Sequence, residues 1–150
     1  MSILILCDQP DELDAMLQLA EDAGFEAVDG FKHPAAALDW CESHVPDLVL
    51  VDFLMRASDG LEVIRRLRAM RALRGVPLVL MLPHGFEAVS AAAITQGASD
   101  FLAKPVDPTE FVSRARNLLE LRRLRAAARP SEEERWHAGT TQRLNVVHVH

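Results

Sequence analysis

Cysteine is nearly missing from this chain of 150 residues, which has only Cys7 and Cys41. Two thiols are too few for a disulfide framework, and their separation fits no metal-ligand spacing, so the natural setting is a reducing, cytoplasmic one. No run approaches the roughly 20 apolar residues that a membrane-crossing helix requires. Residues 3–7 are apolar, but the stretch from Ser2 to Cys7 is too short for a signal-peptide core, lacks a basic flank and leads at once into acids. Positive charge is scarce over most of the length. Residues 1–108 hold 17 acids against 8 bases, whereas residues 109–129 hold 6 bases against 2 acids. An acidic body with one basic terminal helix is not expected to bind nucleic acid through its main surface.

What is present is a core. Hydrophobic residues make up 49% of a chain long enough for one ordinary domain. The pattern is organised around residues 45–60. There Leu48, Val49, Leu50 and Val51 form a continuous apolar run suited to a parallel strand covered on both faces. The run ends on Asp52, and Asp59-Gly60 closes the following loop. An isolated Asp52 would be read as a turn cap. Two distant features change that reading: Asp8 after the first strand, and Lys104-Pro105 after the last.

In chain order, strands are expected over residues 3–7, 25–29, 48–52, 76–82 and 99–103. Helices are expected from the acidic loop at 8–12 to the stop at Gly24, from Pro34 to before Pro46, over about 61–73 and 86–96, and from near Pro108 onward. Leu13, Met16, Leu17 and Ala20 recur at helical spacing and Gly24 supplies the stop. Val63, Ile64, Leu67 and Met70 form the inward stripe of the third helix, with Arg65, Arg66, Arg68 and Arg71 as its solvated face. Five β-then-α units without an internal repeat predict an α/β fold with a doubly wound, five-stranded parallel sheet between helical layers. Such a sheet brings Asp8, Asp52 and Lys104 to one edge, where α/β sheets place their chemistry. Two converging carboxylates repel, a hard divalent cation relieves that repulsion, and Lys104 adds a fixed positive charge.

This pattern resembles the receiver domain of two-component response regulators over about residues 1–125, leaving 126–150 as a C-terminal helical extension, linker or start of an output module. Asp8 and Asp52 are 44 residues apart, Asp52 and Lys104 are 52 apart, and Asp59-Gly60 follows the loop as it does in that family. The resemblance implies a flavodoxin-like (βα)5 three-layer sandwich with an extended C-terminal helix. It further implies that Asp52 accepts a phosphoryl group from a sensor histidine kinase in a phosphorelay. Asp8, Asp52 and the backbone carbonyl of Leu54 would then hold Mg²⁺, Lys104 would contact the phosphoryl group, and the Lys104-Pro105 bond would be cis. A domain of this kind is a phosphoprotein switch rather than a turnover enzyme, apart from slow self-hydrolysis.

The chain departs from the family in several places. Cys7 stands where a second acid is usual; it is either a redox sensor or, the plainer reading, a packed thiol. Arg56 replaces the loop proline, with little effect expected on the chemistry. Leu82 occupies the switch position of a Ser or Thr and cannot donate a hydrogen bond, and Phe101 occupies the aromatic switch position, where core packing is the plainer role.

Past the domain's expected end, Leu121, Leu124 and Ala128 continue an apolar stripe on a helix expected to reach residue 129 and to measure on the order of 33 Å. That stripe suits a homodimer or the path to an output domain. Ser131 to Glu134 has capping-box spacing for a second short helix through Gly139. Val146, Val147 and Val149 suit an edge strand, and His148 and His150 are read as incidental to metal binding. Two rival functions stay open: a pseudo-receiver that binds proteins without phosphorylation, and the regulatory front of a cyclic-dinucleotide phosphodiesterase. The second rests on residues 116–125, which look like the helix leading to such modules. A flavodoxin-like nucleotide binder is disfavoured, because the loop after the first strand is acidic and cannot cradle phosphate.

Overall fold

The computed structural model describes residues 1–128 and 146–150. Its centre is β3 (Leu48–Asp52), in which every residue is buried. Beside it lie β1 (Ser2–Leu6) and β4 (Leu78–Leu82), then β2 (Ala27–Phe31) next to β1 and β5 (Asp100–Ala103) next to β4. All of these pairings are parallel. Parallel neighbours cannot be joined by tight turns, so helices cross between them. These are α1 (Pro10–Asp22), α2 (Pro34–Cys41), α3 (Gly60–Ala69) and α4 (Val89–Gln96), while α5 (Pro108–Ala128) follows the last crossover strand.

Because strand side chains alternate in direction, each unbroken apolar run feeds two cores at once. Ile3, Ile5, Leu48, Leu50, Val79 and Met81 pack beneath α1 and α5 with Leu13, Leu17, Phe111 and Ala115. Leu4, Leu6, Val49, Val51, Leu80 and Leu82 pack on the other face against Ala37, Val63, Ile64, Leu67 and Ala93. The strand order reverses between β1 and β3, which opens a crevice at their carboxyl ends.

The sheet has six strands rather than the five of the predicted domain: β6 (Val146–Val149), in the segment read as suited to an edge strand, pairs in parallel with β2. The His150 N–H donates to the Gly30 carbonyl at 2.7 Å, and its imidazole lies 2.9 Å from an Asp29 carboxylate oxygen and stacks on Phe31 at 4.5 Å. Asp29 is a buried acid, and His150 gives it the partner that burial demands. The short helix predicted over residues 131–139 lies outside the described residues.

Several boundaries differ from the periodicity reading, each for a local reason. The second strand was expected over 25–29 but starts at Ala27, because Phe25 is taken up by the end of α1. Gly24, at φ +97°, donates its N–H to the Glu21 carbonyl, and Phe25 donates to the Ala20 carbonyl, which is a Schellman closure. The Phe25 ring then packs 6.3 Å from that of Phe111. The third helix was expected to reach 73 but stops at Ala69. Met70 is extended and Arg71–Leu73 forms a 3₁₀ turn. Arg68 holds this break by donating to the carbonyls of Leu73, Arg74 and Gly97 at 2.8, 2.9 and 3.0 Å. The fourth strand begins at Leu78, two residues later than expected, since Pro77 has no N–H to give a ladder. The fourth helix begins at Val89 rather than 86, after the left-handed Gly85.

Gly60 explains why Asp-Gly must precede α3. Asp59 caps the helix by accepting the Glu62 N–H at 2.8 Å, which draws the first turn down onto the end of β3. A Cβ on Gly60 would lie 2.6 Å from the Asp52 carbonyl oxygen and 2.7 Å from the Phe53 Cα, both backbone atoms. Gly60→Ala is therefore expected to lower stability by about 1–3 kcal/mol, the usual cost of overpacking. Gly75→Ala, where a Cβ meets nothing within 4 Å, is the control. Urea unfolding of the two variants checks this, and equal midpoints would refute it.

Candidate functional site

Asp52 ends the central strand, and its side chain is wholly inaccessible to water. A buried carboxylate needs donors, and it has them. Lys104 Nζ lies 3.1 and 3.0 Å from its two oxygens, the Leu54 N–H donates to Oδ1 at 3.3 Å, and the Cys7 thiol sits 3.4 Å from Oδ2. Lys104 is placed by the end of β5, where its own N–H donates to the Leu82 carbonyl at 2.8 Å and its bond to Pro105 is cis. Its ammonium also donates to Glu12 Oε2 at 2.6 Å. Burial works against that charge, but the hydrogen bonds and negative charges of Glu12 and Asp52 together outweigh it, so the Lys104 pKa is raised.

Asp8 follows β1. Its Oδ2 accepts the Arg56 N–H at 2.7 Å, while its Oδ1 is buried without any hydrogen-bond partner among the described residues. A buried carboxylate oxygen with nothing to accept from is a natural ligand for a hard cation. Beside it, the Cys7 thiol and the carboxylates of Glu12 and Asp52 bring their donor atoms within 4.8 Å of one another. This acidic group is compatible with a divalent ion.

The sequence-predicted residues are thus brought to one edge, though unequally. Asp52 and Lys104 touch directly, whereas Asp8 serves the β3–α3 loop through Arg56. The replacement of proline by Arg56 has a consequence that the sequence reading overlooked, because a proline has no N–H to offer Asp8. Glu12 was missed altogether. As an acid in the first turn of a helix it is fully explained by the helix dipole, and only the approach of β5 to α1 gives it Lys104 as a partner.

Leu82 is buried in the core with Leu80 and Val63, and Phe101 is half-buried against the same cluster. Both switch positions are therefore occupied by packing side chains. A cavity of about 850 Å³ opens beside Asp52 and Lys104, walled by Met16 and Leu19 of α1 and by Pro105 and Val106 of the β5–α5 loop.

A parallel α/β sheet with a buried aspartate, a neighbouring acid and a lysine at one strand edge defines the class of receiver-type signalling domains. The chain belongs to the response regulator receiver domain family, whose model matches residues 3–116. It is 40% identical over 123 residues to the cyclic di-GMP phosphodiesterase response regulator RpfG of Xanthomonas campestris pv. campestris, covering 81% of this chain and 32% of that protein. It is 34% identical to the DNA-binding dual master transcriptional regulator RpaA of Synechocystis, covering 87% of this chain and 54% of that one. The chain thus spans between about a third and a half of these relatives. Among solved structures it is similar to NtrX from Brucella abortus, with a TM-score of 0.77, 26% identity and coverage of 85% and 28% of the two chains. A CheY-like receiver domain protein from Methanospirillum hungatei has the same fold, with a TM-score of 0.75 at 22% identity and coverage of 83% and 97%. No helix among the described residues is long and apolar enough to cross a membrane.

Cys7 has the character of a packed thiol. It is 1% exposed, and burial above all, with the charges of Asp52 and Glu12 adding to it, pushes its pKa up to about 12. Burial alone takes Cys41 to about 11. Native protein is therefore expected to resist iodoacetamide at pH 8 by at least about a hundredfold relative to a free thiol, and to react fully once unfolded. Because both thiols are raised in the folded state, their contribution to stability is complete below the ordinary thiol value near 9 and is lost as pH rises toward 11–12. Mass spectrometry of native and guanidinium-unfolded samples checks the first point, and rapid native alkylation of Cys7 would reject it.

Proposed function

We propose that Asp52 is the phosphoacceptor of a two-component phosphorelay, taking its phosphoryl group from a sensor histidine kinase. The observation that carries this reading is the Lys104 ammonium within 3.1 Å of both oxygens of a fully buried carboxylate. In the transfer, a carboxylate oxygen of Asp52 bonds to phosphorus as the phosphohistidine N–P bond breaks, and the electron pair returns to the imidazole. Lys104 holds the acceptor oxygens in place and meets the charge brought by the incoming phosphoryl oxygens, since this chemistry depends mainly on positioning and electrostatics. Mg²⁺, held by Asp8, Asp52 and the Leu54 carbonyl, would supply further neutralisation of those oxygens. The orphaned Asp8 Oδ1 supports that assignment, and Glu12 supplies negative charge beside a site where Cys7 withholds it. The groove along α1 gives a protein-borne phosphohistidine a way in. The presence of Asp8, Asp52 and Lys104 at one edge favours this over a phosphorylation-independent binding role.

Treatment with acetyl phosphate and Mg²⁺ is expected to add one phosphoryl group by intact mass, to add none in Asp52→Asn, and to fail when EDTA is present. Equal labelling of wild type and Asp52→Asn would sink the assignment, as would no labelling under conditions that modify another receiver. Labelling that survives EDTA would remove the metal from it.

The response to phosphorylation is assigned to α5. Leu82 cannot pull on a phosphoryl oxygen, so the change must pass through Lys104 and the adjoining loops as a shift between conformers that contact the phosphoryl group differently. Arg122 ties α5 to Asp47 at 3.0 Å, and Leu121 and Leu124 are 48% and 50% exposed around that anchor. Burying this stripe against a second copy removes apolar area from water. Sedimentation velocity is expected to show self-association strengthened by beryllofluoride and lost in Leu121→Glu/Leu124→Glu with helical content retained. Unchanged association in the double variant would assign the output to another face.

A further inference from the structure

At the amino ends of β4 and β5, the end of the sheet away from Asp52, a second cavity of about 290 Å³ is lined by Arg68, Arg74, Arg122 and Arg125, and no acid among the described residues lines it. We propose that this cavity is a binding site for a small phosphorylated anion. In a chain of net charge −6, four guanidinium groups around one small volume are a local concentration of positive charge, which favours an anion.

The four arginines are held differently. Arg68 is fixed by its bonds to the carbonyls of Leu73, Arg74 and Gly97, so its charge is stationary. Arg122 is anchored at one end by Asp47, through Nη1 at 3.0 Å, but its Nε is buried with no acceptor among the described residues. A buried donor left unpaired is costly, and Arg122 is one of the residues that line the cavity. Arg74 and Arg125 have no side-chain hydrogen bond or ion pair among the described residues. Of the four, Arg122 alone has a carboxylate partner among the described residues.

The chemistry selects phosphate. Guanidinium forks pair bidentately with phosphate oxygens, and groups arriving from the α3–β4 connection and from α5 can grip a tetrahedral anion from two sides. The volume suits one or two phosphate groups with a small organic remainder, for which Leu118 and Leu121 furnish an apolar wall. This site is independent of the chemistry assigned to Asp52.

The test is a titration of the full chain with inorganic pyrophosphate in Mg²⁺-free buffer, followed by ¹H–¹⁵N NMR. Saturable shifts are expected at the amides of residues 74–76 and 118–125 and at arginine Nε–H signals. Arg74→Gln/Arg125→Gln is expected to weaken binding at least about tenfold, while acetyl phosphate labels this variant to the same extent as wild type, which reports an intact fold. Three results would each overturn the proposal: no saturable shift at millimolar pyrophosphate, shifts confined to the Asp52 and Lys104 edge, or equal affinity in the double variant. A polyglutamate peptide giving the same shifts at lower concentration would reject phosphate as the ligand class.

Discussion

A carboxylate withdrawn completely from water must be paired, and the pairing of Asp52 with Lys104 is the constraint on which the carboxyl edge of this sheet depends. The bond joins the end of β3 to the end of β5 across β4. Through the same ammonium it draws in Glu12, so three elements distant in sequence are fixed to one another by a single charge. The surrounding backbone is built to allow it. Gly60 lets α3 start against the Asp52 carbonyl, Asp59 holds that start, and the Leu54 N–H turns back to the carboxylate.

Relative to the pattern of its family, the substitutions in this chain are coupled through that edge. Cys7 places a neutral thiol beside Asp52, which reduces carboxylate repulsion in the buried pocket, and burial keeps it neutral. Glu12 returns a carboxylate on the solvent side of the same lysine, where its side chain is half exposed. Arg56 adds an N–H that a proline would lack and so anchors Asp8. Leu82 and Phe101 belong to the apolar core under α3 and α4. The polar part of the pocket is therefore concentrated on the α1 and β5 side.

The fold was legible because its signals are local and redundant. Val49 and Leu50 point to opposite faces of β3, and both must be apolar when helices cover both sides, so a continuous run announces a buried parallel strand. Pro10, Pro34 and Pro108 begin helices, and Gly24 and Gly97 end them, because their backbone preferences act within a turn. Asp8, Asp52 and Lys104 were legible as a set because each ends a strand or follows one within two residues. Element edges were less so. Phe25 has the composition of a strand residue, yet the hydrogen bonds of a helix terminus claim its N–H. Met70 continues a helical stripe, yet Arg68 binds the carbonyls beyond it and turns the chain.

The sequence by itself determined the order of the elements, which faces they bury and which strand ends carry charge, since these follow from periodicity, from Gly and Pro conformations and from the cost of burying polar groups. Folding in three dimensions decided who meets whom across long separations. Lys104 reaching Glu12, Arg56 serving Asp8, His150 covering Asp29 and the arginines converging beside β4 all join residues whose neighbours in sequence say nothing of the contact. The physical reason is that a pairwise electrostatic contact depends on a distance of a few ångströms between side chains. That distance is set only when sheet twist, crossover and core packing have fixed both backbones.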